Sequence, residues 1–136
     1  MKKITAIITF LLLIGFSGIS GARATQPQAA SAGGACDRAC LAGFVTQYLD
    51  AMIAHKPESL PVAANVKFTE ACKELKLGEG IWKNIAKLTN YRRDILDVRQ
   101  GVTVSFLVVE ENSAPVLFVM RLKIADKKIT EIETTA

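Results

Sequence analysis

The chain has 136 residues, of which 50% are hydrophobic and 22% are charged, and its formal net charge is +4. This length fits a single domain with one hydrophobic core. Lys and Arg residues do not cluster with interleaved aromatic side chains anywhere in the sequence. The positive charge therefore does not predict a nucleic-acid partner.

The first 24 residues have the pattern of a secretory signal peptide. Residues 2–3 are both lysine, residues 4–16 form an apolar run, and residues 22–24 (Ala-Arg-Ala) offer a cleavage site before Thr25. The apolar run is shorter than the ~20 residues that a transmembrane helix needs. The sequence therefore predicts an exported protein, periplasmic or extracellular, with no membrane partner after cleavage. An uncleaved membrane anchor is the alternative.

Cleavage would change the charge and leave one domain. Residues 1–24 contain three basic residues and no acidic residue, so that 14 basic and 13 acidic residues remain, with a net charge of +1. Residues 25–35 are small or polar and include two glycines, which is typical of a flexible linker. The remaining residues, 36–136, are predicted to form the folded domain.

The cysteines are disulfide candidates in an exported protein. Cys36 and Cys40 lie four residues apart at the start of a predicted helix. Their Cα atoms would be about 6 Å apart there, within disulfide range, and we favour this pair over Cys40 with Cys72. The three cysteines and His55 also make a numerically complete zinc set. A zinc site is not predicted, because a helix would separate His55 from Cys40 by about 22 Å, and no other cofactor is expected.

Residues 37–55 are predicted to form one amphipathic helix. Asp37 suits its N-terminus, and Pro57 ends it because the residue before a proline avoids helical geometry. Tyr48 carries a hydroxyl group into the apolar stripe, and that group needs either a hydrogen-bond partner in a packed core or a cavity. The stripe has apolar side chains at spacings of three and four, at Leu41, Phe44, Val45, Tyr48, Leu49, Met52 and Ile53.

Most of the chain after Asn65 alternates with a period of two residues, which is typical of strands. A hairpin is predicted from residues 65–71 and 73–77, and a short second helix over 81–88. A single helix cannot cover so many strands unless the sheet curls around it. We therefore expect an α+β fold with a strongly curved antiparallel sheet and an internal pocket. Four further strands are predicted at 91–99, 102–110, 115–125 and 129–135.

The two long strands, 102–110 and 115–125, are apolar on both faces at their centres. Phe118 and Met120 share one face of the second strand, and Leu117 and Val119 share the other. One face belongs to the interior, so the other needs a cover, and a second copy of the chain is the simplest one. We expect a homodimer; an apolar face left in solvent is the alternative.

The order of these elements resembles the cone-shaped α+β fold of the nuclear transport factor 2-like (NTF2-like) superfamily. That superfamily includes ketosteroid-isomerase-like and polyketide-cyclase-like (SnoaL-like) enzymes and many binding domains. The resemblance covers residues 37–135. Residues 36–41 (CDRACL), 68–70 (FTE) and 78–82 (GEGIW) are similar to an exported subgroup without an assigned activity. That subgroup usually has Asn-Gly after the Thr-Glu pair, where this chain has Ala-Cys.

The resemblance to ketosteroid isomerases implies catalytic roles for Tyr48 and Glu70. In those enzymes a tyrosine of the first helix stabilises an oxyanion, and a carboxylate at the end of the first strand moves a proton. The second acidic donor is absent, because the matching strands offer only Thr103 and Ser105 as internal polar groups. The pocket is expected to be lined by apolar side chains, namely Phe44, Met52, Phe68, Trp82, Phe106, Phe118 and Met120.

Three functions from different classes remain open. The first is the binding of a small apolar or amphipathic ligand in the cone pocket. The second is a cofactor-free isomerase, lyase or cyclase that acts on a carbonyl compound through Tyr48 and Glu70. The third is a protein-interaction module that uses the outer face of the sheet. Glu70→Gln should abolish turnover in the second case, change ligand affinity modestly in the first, and have no effect in the third.

Overall fold

A computed structural model describes residues 36–136 of the chain, and the predicted signal peptide (1–24) and linker (25–35) lie outside the described residues. One α-helix is followed by six strands. Short 3-10 helices, Pro57–Ser59 and Gly80–Lys83, precede β1 and β3 respectively. The elements are α1 (Arg38–Ile53), β1 (Val62–Glu70), β2 (Lys73–Glu74), β3 (Ile85–Asp97), β4 (Val102–Glu111), β5 (Ala114–Ala125) and β6 (Lys128–Thr135).

Helix α1 is the predicted amphipathic helix. The Asp37 side chain accepts a hydrogen bond from the Cys40 backbone N–H (2.8 Å) and caps the N-terminus. At the other end His55 takes a left-handed conformation (φ 53°) and the chain leaves the helix before Pro57. The apolar stripe is buried, and its buried members are Leu41, Phe44, Val45, Tyr48, Leu49 and Met52.

The cysteines lie at the start of α1 and in the β1–β2 turn. Cys36 and Cys40 form a disulfide at the start of α1, with their Cα atoms 5.3 Å apart. Cys72 is an exposed free thiol in the turn between β1 and β2. Ala71 and Cys72 both have positive φ angles (47° and 66°), which is the backbone of a two-residue hairpin turn built without Gly or Asn.

The six strands form one sheet with the order β2-β1-β6-β5-β4-β3. Neighbouring strands are antiparallel except β1 and β6, which pair in parallel with Phe68 opposite Ile132. The α+β fold is confirmed. The prediction of a wholly antiparallel sheet is wrong, because the sheet is mixed. The reason is that β1 and β6 come from opposite ends of the domain, and periodicity within a strand contains no information on the direction of its partner.

The predicted second helix over 81–88 is wrong beyond its first turn. Only Gly80–Lys83 is helical, and Ile85 already begins β3. The register of β3 against β4 shifts between Ile85 and Lys87 and again between Leu88 and Arg92. These bulges interrupt the two-residue alternation, so the apolar residues recur at spacings that resemble a helix.

The core lies between α1 and the concave face of the sheet. Alternate side chains of β4 and β5 point into it, including Leu107, Val109, Phe118 and Met120, all at most 1% exposed. This alternation follows from the pleat of the strands. Over residues 36–136, no helix has the length and apolar character to cross a membrane.

Candidate functional site

Tyr48 and Trp82 meet inside the cone. Tyr48 comes from the middle of α1 and Trp82 from the 3-10 helix before β3, and their side chains are 0% and 1% exposed. The indole Nε1 donates a hydrogen bond to the Tyr48 hydroxyl (2.9 Å). The two rings pack edge to face, with centroids 5.3 Å apart and an interplanar angle of 82°. The polar group of Tyr48 therefore has a partner within the packed core.

Glu70 lies at the end of β1, and its carboxylate holds the chain segment that carries Trp82. Both carboxylate oxygens accept from the Ile81 backbone N–H (3.1 and 3.2 Å), and one also accepts from the Thr134 hydroxyl (3.3 Å). Gly80 lies so close to the carboxylate that a Cβ atom there would overlap it. The carboxylate is thus engaged by the protein's own donors, one from the backbone and one from a side chain.

Burial is the main cause of an unusual pKa at Tyr48. Desolvation raises the pKa of the phenol well above its ordinary value of 10.0, the Trp82 hydrogen bond lowers it in part, and the negative charge of Glu70 raises it further. The phenol therefore stays protonated at any physiological pH. It can donate a hydrogen bond but cannot act as a base.

The apolar side chains expected to line a pocket mostly fill the interior instead. Six of the seven are in the core cluster, at 0–8% exposure: Phe44, Met52, Phe68, Trp82, Phe118 and Met120. Phe106 is the exception and corrects the expectation, because it lies on the opposite face of β4 from Leu107 and is 36% exposed. Alternation along a strand sends successive side chains to opposite faces, so Phe106 cannot join Leu107 inside.

His55 is exposed at the end of α1 and also makes a structural contact. Its Nδ1 lies 2.6 Å from the Trp82 carbonyl oxygen. This contact holds the 3-10 helix at a second point, in addition to the hydrogen bond between Glu70 and Ile81. A sequence separation of 27 residues hides such a pair from any local pattern.

Two hydroxyl groups of the interior have no hydrogen-bond partner within residues 36–136. Thr103 and Ser105 of β4 are fully buried, and their side-chain oxygens form no hydrogen bond with any described residue. A buried polar group without a partner costs stability. The sequence singled out both residues as internal polar groups but could not indicate that they lack partners.

Three surface depressions lie outside the cone. One follows the outer side of α1 near Gly43 and Asp50, one lies between the turns at Gly101 and Asp126, and one lies on β1 and β6 near Lys67. Neither Tyr48 nor Trp82 nor Glu70 belongs to the lining of these three depressions. Tyr48 is fully buried and Glu70 is partly exposed, so the pair that the resemblance implies does not line any of these three depressions.

The outer face of the sheet carries apolar side chains on three adjacent strands, which we call the outer patch, with Arg93 opposite Phe106 and Arg121 opposite Val104. It runs across β3, β4 and β5 through the register pairs Ile95–Val104, Phe106–Val119 and Val108–Leu117. Ile95 and Leu117 are its most exposed members, at 60% and 61%. A monomeric protein rarely leaves a large contiguous apolar surface in solvent, so the patch is the stronger candidate for function.

Charged residues of both signs border the outer patch. Arg121 contacts Glu131 and Glu133 (3.0 and 3.2 Å), and Lys87 contacts Glu110 (2.9 Å). A central apolar region with a polar, charge-balanced rim is the usual anatomy of a protein–protein interface.

Comparison with known proteins identifies the architecture. No protein-family model matches the sequence, and no curated protein matches it. Among solved structures, an NTF2-like protein of unknown function from Cytophaga hutchinsonii is similar at a TM-score of 0.54 and 9% identity, over 69% of this chain and 87% of that one. A proposed polyketide cyclase from Sinorhizobium meliloti is similar at a TM-score of 0.52 and 16% identity, over 68% and 93% of the two chains.

A proposed hydroxylase from Streptomyces galilaeus is also similar, with a TM-score of 0.53 and 13% identity, over 72% of this chain and 89% of that one. Identities this low carry no information on activity or substrate. The shared order of one long helix and a curved sheet is what they establish. The chain therefore has the NTF2-like fold.

Proposed function

We propose that this NTF2-like domain is an exported interaction module that associates with a second copy of itself through the outer patch. The observation that carries the proposal is the set of apolar pairs on the outer faces of β3, β4 and β5, in which each pair has one exposed member, with Ile95 at 60% and Leu117 at 61% exposure. The disulfide between Cys36 and Cys40 supports an oxidising compartment, since such bonds persist mainly outside the cytosol.

The size of the face supports a stable interface. Ten residues of β4 extend over about 33 Å, and the four strands β3–β6, which carry the outer patch and its charged rim, are about 19 Å wide side by side. The resulting face of roughly 600 Å² is comparable to the ~800 Å² that each partner buries in a standard interface. The charge-balanced rim also favours self-association, because a two-fold interface must be complementary to itself.

The test is the oligomeric state of the purified protein by sedimentation velocity. The wild type should be a dimer, and Leu117→Arg should weaken dimerisation at least tenfold, because a two-fold axis brings the substituted site and its copy into one interface. Gln47→Arg is the matched control: it places the same charge on an exposed site of α1, and the dimer should persist.

Two outcomes would contradict the proposal. One is a wild-type protein that stays monomeric at concentrations of about 100 µM, well above the dissociation constants of stable dimers. The other is a dimer that Leu117→Arg leaves intact while Gln47→Arg dissociates it, which would assign the interface to the outer side of α1. Circular dichroism of both variants should match the wild type, since both sites are exposed.

Carbonyl chemistry at Tyr48 and Glu70 has less support. The Tyr48 oxygen accepts from Trp82, and the Glu70 oxygens accept from Ile81 and Thr134. A general base must reach the proton it abstracts, and the Glu70 carboxylate faces the protein's own donors. Binding of a small molecule inside the cone would require Trp82, which is 1% exposed there, to leave the cone.

A further inference from the structure

One of the three surface depressions lies where two turns of the sheet meet the start of α1, and we call it the turn depression. Residues 98–101, between β3 and β4, form one side of it. Residues 123–127, at the turn between β5 and β6, form the other side, and Cys36 also belongs to its lining. Its volume is about 400 Å³, which is within the range of sites for small molecules.

Hydrogen bonds fix the backbone on one side of the turn depression. The Ile124 N–H donates to the Gly101 carbonyl oxygen (2.7 Å), and a Cβ atom at Gly101 would overlap the Ile124 carbonyl oxygen. The Asp97 carboxylate accepts from the backbone N–H groups of Arg99 and Gln100 (3.0 and 3.1 Å). The turn between β3 and β4 is therefore held against β5, and the shape of the depression is present before any ligand binds.

The turn depression is positively charged. Its lining contains three basic side chains, those of Arg99, Lys123 and Lys127, and one acidic side chain, that of Asp126. Three positive charges and one negative charge leave a net charge of +2. None of the three basic side chains forms a salt bridge with a described residue. Positive charge is thus concentrated at this depression without a matching set of carboxylates.

Lys123 shows how the fold keeps a cation at this depression. It is half-buried and lies opposite Glu131 in the register of β5 and β6. Glu131 contacts Arg121 (3.0 Å), whereas the Lys123 ammonium group donates to the Gln100 carbonyl oxygen (2.6 Å). An ammonium group has three N–H donors, and this carbonyl oxygen takes one of them. A positive charge with donors to spare is therefore held in the lining.

We propose that the turn depression binds the phosphate group of a small organic phosphate, either a free molecule or the headgroup of a lipid. The planar guanidinium of Arg99 matches two phosphate oxygens at once, and the ammonium groups of Lys123 and Lys127 supply further charged donors. The depression is larger than a phosphate group alone, so that it leaves room for the group that carries the phosphate. The inference is independent of the proposed dimer, because Arg99 and Lys127 lie in turns outside the outer patch.

The experiment titrates the full mature protein with glycerol 3-phosphate and follows the backbone amide signals by NMR, at constant ionic strength because salt screens exposed charges. Signals of residues 98–101 and 123–127 should shift until saturation, and glycerol, which lacks the phosphate, should leave them in place. Lys123→Gln should weaken binding about tenfold, the low end for a hydrogen bond to a charged group. Its amide can still donate to Gln100, so the turn is retained.

Lys73→Gln is the matched control, because it removes the same charge from an exposed site on β2, outside the lining of the turn depression. Its affinity for glycerol 3-phosphate should equal that of the wild type. The proposal is overturned if the signals of residues 98–101 and 123–127 do not shift with glycerol 3-phosphate. It is also overturned if Lys73→Gln and Lys123→Gln weaken binding equally, since only the overall charge would then matter.

Vesicles distinguish the two sources of the phosphate group. The protein is sedimented with vesicles of phosphatidylcholine alone and with vesicles that contain phosphatidylglycerol and phosphatidylcholine in equal amounts. Binding to the second kind alone, with loss of binding in Arg99→Gln, supports a lipid headgroup as the ligand. Binding of glycerol 3-phosphate without binding to either kind of vesicle supports a free organic phosphate. A failure of both arms overturns the phosphate site and leaves the oligomeric state, which sedimentation velocity measures separately, unaffected.

Discussion

The substitution Gly80→Ala tests whether Glu70 holds residues 75–84, the segment between β2 and β3. Gly80 has a φ angle of 66°, and a Cβ atom there would overlap the Glu70 carboxylate. The left-handed backbone alone costs an alanine about 1.5 kcal/mol. The carboxylate must also move away from the Ile81 N–H, which costs about another 1.5 kcal/mol, the low end for a bond to a charged group because Glu70 is only partly buried.

These values predict a free energy of unfolding about 3 kcal/mol lower for Gly80→Ala and about 1.5 kcal/mol lower for Glu70→Ala. The double variant should also lose about 3 kcal/mol, because the Glu70 hydrogen bond can be lost only once. The coupling energy between the two sites is then about 1.5 kcal/mol. Urea denaturation of the four proteins of this cycle measures it.

Glu70→Gln is the control that separates shape from the removal of the side chain. A glutamine has the size of a glutamate and keeps one oxygen acceptor, so its side chain still overlaps the methyl group that Gly80→Ala adds. Gly80→Ala should therefore lower the free energy of unfolding almost as much in the Glu70→Gln background as in the wild type. Strictly additive losses in the Glu70→Ala cycle, about 4.5 kcal/mol for the double variant, would refute the reasoning. They would mean that an alanine at position 80 leaves the carboxylate in place.

The remaining predictions concern the buried polar groups and the disulfide. The phenol of Tyr48 ionises near pH 10 in the unfolded chain, whereas burial raises its pKa in the folded protein, so that it keeps its proton there. Its contribution to stability is therefore complete below pH 10 and is lost as the pH rises. Between about pH 9 and about pH 11, the free energy of unfolding should fall less steeply with pH in Tyr48→Phe than in the wild type, by at most about 1.4 kcal/mol per pH unit. Thr103→Val removes a hydroxyl without a partner among the described residues and should leave the free energy of unfolding unchanged or raise it by about 1 kcal/mol. Thr134→Val removes the hydroxyl that donates to Glu70 and should lower the free energy of unfolding. Chemical denaturation of both variants measures the two effects. Replacement of Cys36 and Cys40 by serine should cost no more than about 2 kcal/mol in chemical denaturation, because the disulfide closes a very short loop.

Local patterns in the sequence were sufficient for the elements whose packing is regular. The 3–4 spacing over residues 37–55 predicted α1, and the alternation over 102–110 and 115–125 predicted β4 and β5 to within one residue at each end. In both cases burial of one face imposes a period that the sequence must follow. Where β3 contains bulges, between Ile85 and Arg92, the same rule failed because the period itself is broken.

Local patterns could not predict the contacts that place Trp82 against Tyr48 and fill the interior. Tyr48 and Trp82 are 34 residues apart, His55 and Trp82 are 27 apart, and Glu70 meets Ile81 across 11 residues. Each contact depends on where residues 75–84 pack against the domain, and no periodic pattern in the sequence encodes that position. The sequence could therefore identify Tyr48, Glu70 and Trp82 as candidates, but it could not distinguish a pocket lined by them from a core filled by them.

The two faces of β4 and β5 differ in what covers them. The sequence makes both faces apolar, yet α1 covers only the inner one, where Leu107 and Phe118 are at most 1% exposed. On the outer face, Phe106 and Leu117 are 36% and 61% exposed. Each exposed apolar side chain forgoes part of the ~1.5–3 kcal/mol that full burial would contribute. A face of this kind is therefore stabilised by any partner that covers it, whereas the inner face can gain a ligand only by giving up Trp82.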